Sequence, residues 1–338
     1  MNGAQKEKID EIRRQRSSRN FSHMEWRVIE KIKKETAAAN KDNISRTKVY
    51  HEFFMTNTEI QWAFLASMVS RNAGWNMTDL EGAYYPKILS ATMRKRLFLT
   101  YERANWFIFS DAYPQLVLYE QSKKVNRPLF HLLSAFHVSV FMEAEWERFW
   151  KERDKERLVT ALIINEQNMI QKPVIQNPYF QKYVFQSLVY KFQELFHFSS
   201  VIFPTVQGKL YGFSVYGFEQ LTKRIELGKR LAWLLLHPDY YETFRRFSEN
   251  TIHTGSRMDY EQYFPVPKQK DTPALRDVFP PIPHQRHHYF DWYDEESDTE
   301  SWFHEASVNK EFELTDWFVG KQKQLHIIAA IDKLRGEQ

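Results

Sequence analysis

Apolar residues recur at three- and four-residue intervals along most of the first 260 or so positions, the period of helices with one face in a core. Ile9 and Ile12 stand among charges and predict a short first helix. Ser22-His-Met-Glu25 has capping-box spacing, in which hydroxyl and carboxylate each satisfy an amide left open at a helix start. Met24, Val28, Ile29 and Ile32 follow on one face. Thr58-Glu-Ile-Gln61 repeats that spacing and opens a run, Glu59 to Ser70, that is apolar nearly all round and so predicts a helix buried on every side. Gly74 then reads as a left-handed cap, with Asn76 or Thr78 starting the next helix. Ser90 caps a helix whose stripe is Met93, Leu97, Tyr101, Ala104 and Ile108, ending near Tyr113-Pro114. Pro114, Pro128, Pro178 and Pro238 each stand where a proline fits a first helical turn. Pro128–Met142 predicts a buried helix, too short for the ~20 residues a bilayer requires.

Two stretches break the helical period. Ser199 to Phe218 is rich in Val, Tyr and Phe, and Gln207-Gly208 between two such runs predicts a hairpin turn. From Phe264 the chain changes texture: six of the thirteen prolines fall between Pro265 and Pro283, which predicts extended chain. Thr315-Asp316-Trp317 starts a last helix reaching about Leu334. The expected fold is mainly α: a helical body over 21–263 with at most one small β-hairpin (about 199–217). A basic arm at 1–20 precedes it. A Pro-rich and acidic extension at 264–338 follows, its final helix docking through Trp302, Phe303, Trp317 and Phe318.

Composition sharpens this. The 27 Phe, 17 Tyr and 10 Trp supply bulky core material, while Gly numbers only 10. Phosphate-cradling and strand-rich folds need more glycine than that. The absence of cysteine excludes disulfides, thiolate metal sites and cysteine nucleophiles. Residues 1–20 have no apolar signal-peptide core, so the expected location is the cytoplasm. A formal charge of +4 is far from the footprint of a dedicated nucleic-acid binder. The sequence has no transmembrane segment and asks for no cofactor or metal; a small molecule or another protein is the partner left open.

Candidate chemistry gathers in two polar segments. Ser70–Asp79 brings Arg71, Asn72, Asn76 and Asp79 to the end of the apolar run, where such groups either satisfy helix ends or line a pocket. Glu249–Glu261 holds the acid, base and donor types of general acid–base work: His253 with Glu249 or Asp259 as its orienter, beside Arg257 and Glu261. Both segments contain Arg with Asn and Asp, and they are expected to meet, Arg71 facing Glu249 or Asp259 and Arg257 facing Asp79 or left free for an anionic ligand. Glu102 and Asn105 lie a turn apart beside the Ser90 helix stripe, and a carboxylate there needs a partner such as Arg46 or Arg71. His284, His287 and His288 resemble metal ligands but lack helical ligand spacing, and read as surface histidines.

The stretches Asn43-Ile-Ser-Arg-Thr47, Gln61 through Asp79, Ala104-Asn-Trp106 with Asp111-Ala-Tyr-Pro114, and His253-Thr-Gly-Ser-Arg257 resemble the YppC-like family, a bacterial domain of unknown function, over about residues 20–330. That resemblance implies no activity and no site residues. The residues themselves favour a binding or regulatory protein with a polar pocket between segments 70–79 and 249–261. The alternatives are a metal-independent hydrolase or transferase using His253, and a peripheral membrane or nucleic-acid partner acting through the basic arm.

Overall fold

The computed structural model describes residues 3–186, 200–265, 271–286, 289–294, 299–308 and 311–321. The long helices are α1 (Gly3–Ser17), α2 (His23–Ala39), α3 (Asn43–Thr56), α4 (Gln61–Asp79), α5 (Ala91–Val125), α6 (Val140–Glu152), α7 (Lys155–Met169), α8 (Leu221–Leu236) and α9 (Pro238–Asn250). One antiparallel pair interrupts them, β1 (Ser200–Pro204) with β2 (Leu210–Ser214), in the register Ile202 opposite Gly212. Gly208 turns between them at φ +78, a conformation open to glycine. The fold is mainly helical, as expected, with a single small hairpin among the described residues.

The capping box at Ser22 forms, with Ser22 N–H donating to Glu25 and Glu25 N–H donating to Ser22. Its helix buries Ile29 and Ile32, but Met24 is exposed. The Thr58 box does not form: α4 starts at Gln61 with Ile60 as its unassisted cap. Nor does α4 stop at Gly74. It runs on to Asp79 and is buried along most of its length, packed against α3, α5, α7, α8 and β1. Likewise α5 does not end at Pro114 but carries that proline inside a 35-residue helix, closed at Asn126 in the left-handed region. Pro178 and Pro238 do sit at helix starts. The segment after Pro128 is two elements, a 3-10 stretch Phe130–Phe136 and then α6, divided at His137 with φ +58.

The first twenty residues are not a solvated arm. Ile9 and Ile12 are fully buried where α1 packs on α6. Arg16 and Arg19 converge on the buried Glu143 at 2.7 and 2.5 Å, and Arg13 donates to the Tyr293 carbonyl. Those guanidiniums serve the fold rather than an outside partner. The extension past Phe264 returns to the body. Leu275, Trp292 and Tyr293 are buried, and Trp302, Phe303 and Phe318 pack on the core. Gly212 N–H donates to Phe312 O and Leu314 N–H to Leu210 O, so residues 312–314 edge the hairpin. Helix follows over 315–321, and the rest of the predicted final helix lies outside the described residues. No helix among the described residues is long and apolar enough to cross a membrane.

The buried side chains fall into two clusters. The larger centres on α3, α4, α6 and α7, and the smaller joins Met77, Leu97, Phe98 and Phe107 to Ile170, Val174 and Phe185.

Candidate functional site

The end of α4 and the turn after α9 lie against each other. Arg71 donates from Nη1 to Thr251 O at 2.8 Å and from Nη2 to Ser248 O at 3.0 Å, so its guanidinium closes the open carbonyls of α9. Burial lowers its pKa to about 10, Asp259 opposing through space. Trp75 Nε1 donates to Asp259 at 2.9 Å, and Thr78 to the Gly255 carbonyl. Arg257 faces Asp79 at 3.0 Å and Asp271 at 2.6 Å, with Glu261 at 3.8 Å. The guanidinium thus has three carboxylates around it. Glu249 takes no part and pairs with Arg245 at 2.6 Å on the outer face of α9.

His253 is the chemically suggestive group, with Nδ1 3.1 Å from Asp259 and Nε2 2.8 Å from Asn43 Oδ1. The amide orientation of Asn43 is fixed from the other side, since Nδ2 donates to Ser70 O at 2.8 Å. Both ring nitrogens therefore face acceptors, and no lone pair points where it could take a proton from a substrate. Burial lowers the His253 pKa, with Asp259 opposing. Burial also pushes Asp259 up, but His253 and donors from Thr254, Gly255 and Trp75 hold it below its ordinary range. Gly74 makes the contact possible: a Cβ there would lie 2.5 Å from Asn43 Oδ1 and 2.8 Å from the His253 ring. A glycine inside a buried helix is thus explained by close approach rather than by a turn.

Glu102 finds Arg46, which binds it bidentately at 3.0 and 2.5 Å. Burial raises the Glu102 pKa against the pull of Arg46. Asn72 receives Ile202 N–H at 3.0 Å and donates to Ser200 O at 3.3 Å, tying β1 to α4. His284 is half-buried rather than a surface residue, its ring 5.5 Å from that of Trp106, while His287 and His288 lie outside the described residues.

A cavity of about 190 Å³ opens on the other face of α4, at the seam between the two core clusters. Its walls are largely aliphatic: Val69 and Ala73 of α4, Ala104 and Ile108 of α5, Leu227 and Leu231 of α8. Two π turns, Gln171–Ile175 and Gln181–Phe185, contribute Val174, Val184 and Phe185. Asn72, Asn76 and Asn105 also line it. None of the residues 249–261 does so, nor do they line a second, larger cleft on the far side of α5.

Two charged groups that the sequence reading passed over face this cavity, Glu166 and Arg224. Glu166 is half-buried on the cavity wall, and burial raises its pKa to about 7. Arg224 is 3 % exposed. It donates to Gln167 Oε1 and O, Phe218 O and Gln171 Oε1, all neutral acceptors. No carboxylate offsets it among the described residues, and burial lowers its pKa to about 10. Their signal was available in the spacing. Glu166 falls between Ile163 and Ile170, and Arg224 between Leu221 and Gly228-Leu231, so both sit on otherwise apolar helix faces.

The family described as "Protein of unknown function (DUF2515)" matches residues 38–318. The chain is 47% identical over 308 residues to a protein of Bacillus subtilis (strain 168) described as "Uncharacterized protein YppC", covering 91% of this chain and 96% of that protein. No solved structure matches. Carrying the family's pattern over most of its length, the chain belongs to the DUF2515 family.

Proposed function

We propose that this protein binds a small amphipathic acid in the cavity between α4, α5, α7 and α8, and that the Arg71–His253–Arg257 junction is the scaffold holding one wall in place. The observation that carries this reading is Arg224, a buried cation lining an apolar cavity with no carboxylate partner among the described residues. Buried charge is costly unless it is paired, and a ligand carboxylate would complete the pair. Asn76 and Asn105 add amides on the wall opposite α8, and Glu166 supplies a carboxyl that is half protonated near neutrality. An apolar cavity of about 150 Å³ suffices for a benzene-sized guest, so a body of one ring or a short alkyl chain suits the space here. The pocket expected between 70–79 and 249–261 is thereby moved to the opposite face of α4, keeping Asn72, Asn76 and Asn105 as its amides.

The hydrolase or transferase reading rests on the His253–Asp259 pair. Its weakness is Nε2, the atom that would act as base, which is taken by Asn43.

Isothermal titration with straight-chain carboxylates of roughly four to ten carbons, beside the matching alcohols, tests the proposal within the size range such a cavity admits. Binding should peak at an intermediate length, favour the acid over the alcohol, and vanish in Ala104→Leu, which fills the cavity. Acids and alcohols binding alike, or binding untouched by Ala104→Leu, would reject it.

A further inference from the structure

A second cleft lies on the far side of α5, about 880 Å³ in volume, between α2, the 3-10 stretch and the strap around Pro281–Arg286. Its charge is one-sided: Lys33, Lys41, His137, His284 and Arg286 line it, and no Asp or Glu among the described residues does. Lys33 reaches Glu30 at 3.1 Å, an exposed pair of the sort that contributes little. Lys41 is exposed and has no ion pair among the described residues.

Arg286 is the telling group. It is half-buried, and its Nε and Nη2 are enclosed without a hydrogen-bond partner, leaving Nη1 as the nitrogen open to the cleft. Asp111 opposes it through space, but no ion pair within 4.0 Å joins them, and Asp111 Oδ1 is itself unpartnered. The Nε2 of His284 is also buried without a hydrogen bond, its nearest acid, Glu102, being 3.7 Å away and already held by Arg46. Enclosed donors without acceptors are rare in folded proteins, and a charged one is the most costly to leave so. Flat apolar surface flanks these cations, from Trp106, Pro281 and Pro283.

We infer that this cleft is an anion site for a phosphate group, free or carried on a small ring-bearing ester, with Arg286, Lys41 and Lys33 as its cationic wall and Trp106 beside the ring. Point charges on two lysines and the one open guanidinium nitrogen, Nη1 of Arg286, are donors that phosphate oxygens favour. The cleft is separate from the cavity on α4, and it stands whether or not that cavity holds a ligand.

Calorimetric titration of the full chain with tripolyphosphate, adenosine monophosphate and adenosine tests this at low ionic strength, where screening is weakest. Both phosphates should bind and adenosine should not. Arg286→Gln should weaken binding by at least about tenfold, an amount one charged contact readily supplies. Lys41→Gln, at an exposed position that cannot disturb folding, should weaken it by a smaller factor. Lys48→Gln, on the exposed face of α3, should leave it unchanged. Binding of tripolyphosphate without the nucleotide would assign the free anion to the same site. No binding of either phosphate, or binding indifferent to Arg286→Gln and Lys41→Gln, would overturn the inference, the latter marking an adventitious polyanion and the former an Arg286 neutralised by Asp111.

Discussion

Gly74 sits inside α4, where alanine would ordinarily be the better residue by about 1 kcal/mol. Here a methyl group would meet Asn43 and His253 well inside contact distance. Gly74→Ala should therefore destabilise, by about 1–3 kcal/mol as overpacking does, and a urea midpoint gives the sign directly. The Arg46–Glu102 pair makes a second residue-scale prediction. Glu102→Ala strands a buried guanidinium and should cost about 3–5 kcal/mol, whereas replacing both partners with Met and Leu should cost far less. Glu166 links stability to pH. Its carboxyl is held protonated up to about 7 in the folded chain, against an ordinary value near 4.5. The stability this gives is complete below the ordinary value and is lost as pH rises through about 7. Wild type should thus lose stability relative to Glu166→Gln between pH 5 and pH 8 in chemical denaturation, and a gap that stays flat over that range would contradict the assignment. These residues were unevenly legible. Two dense polar segments flag themselves, and the need of buried charge for a partner names Asp79 as one candidate for Arg257 and Arg46 or Arg71 for Glu102, without choosing between the alternatives. Glu166 and Arg224 are single charges inside apolar runs, and only the three-dimensional seam between two core clusters shows what they face.

At the scale of elements, local signals held where nothing competed with them. Ser22, Ser90, Pro178 and Pro238 begin helices because each satisfies or removes a free amide at a solvent-accessible start. Gly74 and Pro114, expected as helix stops, lie inside helices because tertiary packing outweighs local preference on both sides. Pro114 forfeits one backbone hydrogen bond, yet Ala112, Leu116, Val117 and Leu118 around it are all buried. The N-terminal helix is the clearest case of a charged segment that packs. Ile9 and Ile12 each contribute about 1.5–3 kcal/mol of burial, and losing Arg16 and Arg19 would leave Glu143 enclosed and unpaired. Deleting residues 1–20 should then lower stability by about 6–11 kcal/mol, the sum of lost burial and one stranded buried charge. A melting midpoint that hardly moves would show that α1 is dispensable to the body.

Across the whole molecule, the polar junction and the cavity occupy opposite faces of one helix. Asp259 and Arg257 are surrounded by donors and carboxylates, so the junction resists change. The cavity instead lies where two clusters meet without filling the space, walled in part by π turns, which are frequent at functional sites. Rigid support beside an adaptable pocket is the arrangement a binding protein needs. The most direct test is a methyl and indole NMR titration with octanoate. The account predicts that the methyls of Val69, Ile108 and Leu231 shift while the Trp75 indole N–H, hydrogen-bonded to Asp259, stays in place. Shifts centred on Trp75 and His253, with the cavity methyls unmoved, would contradict it and return the site to the junction.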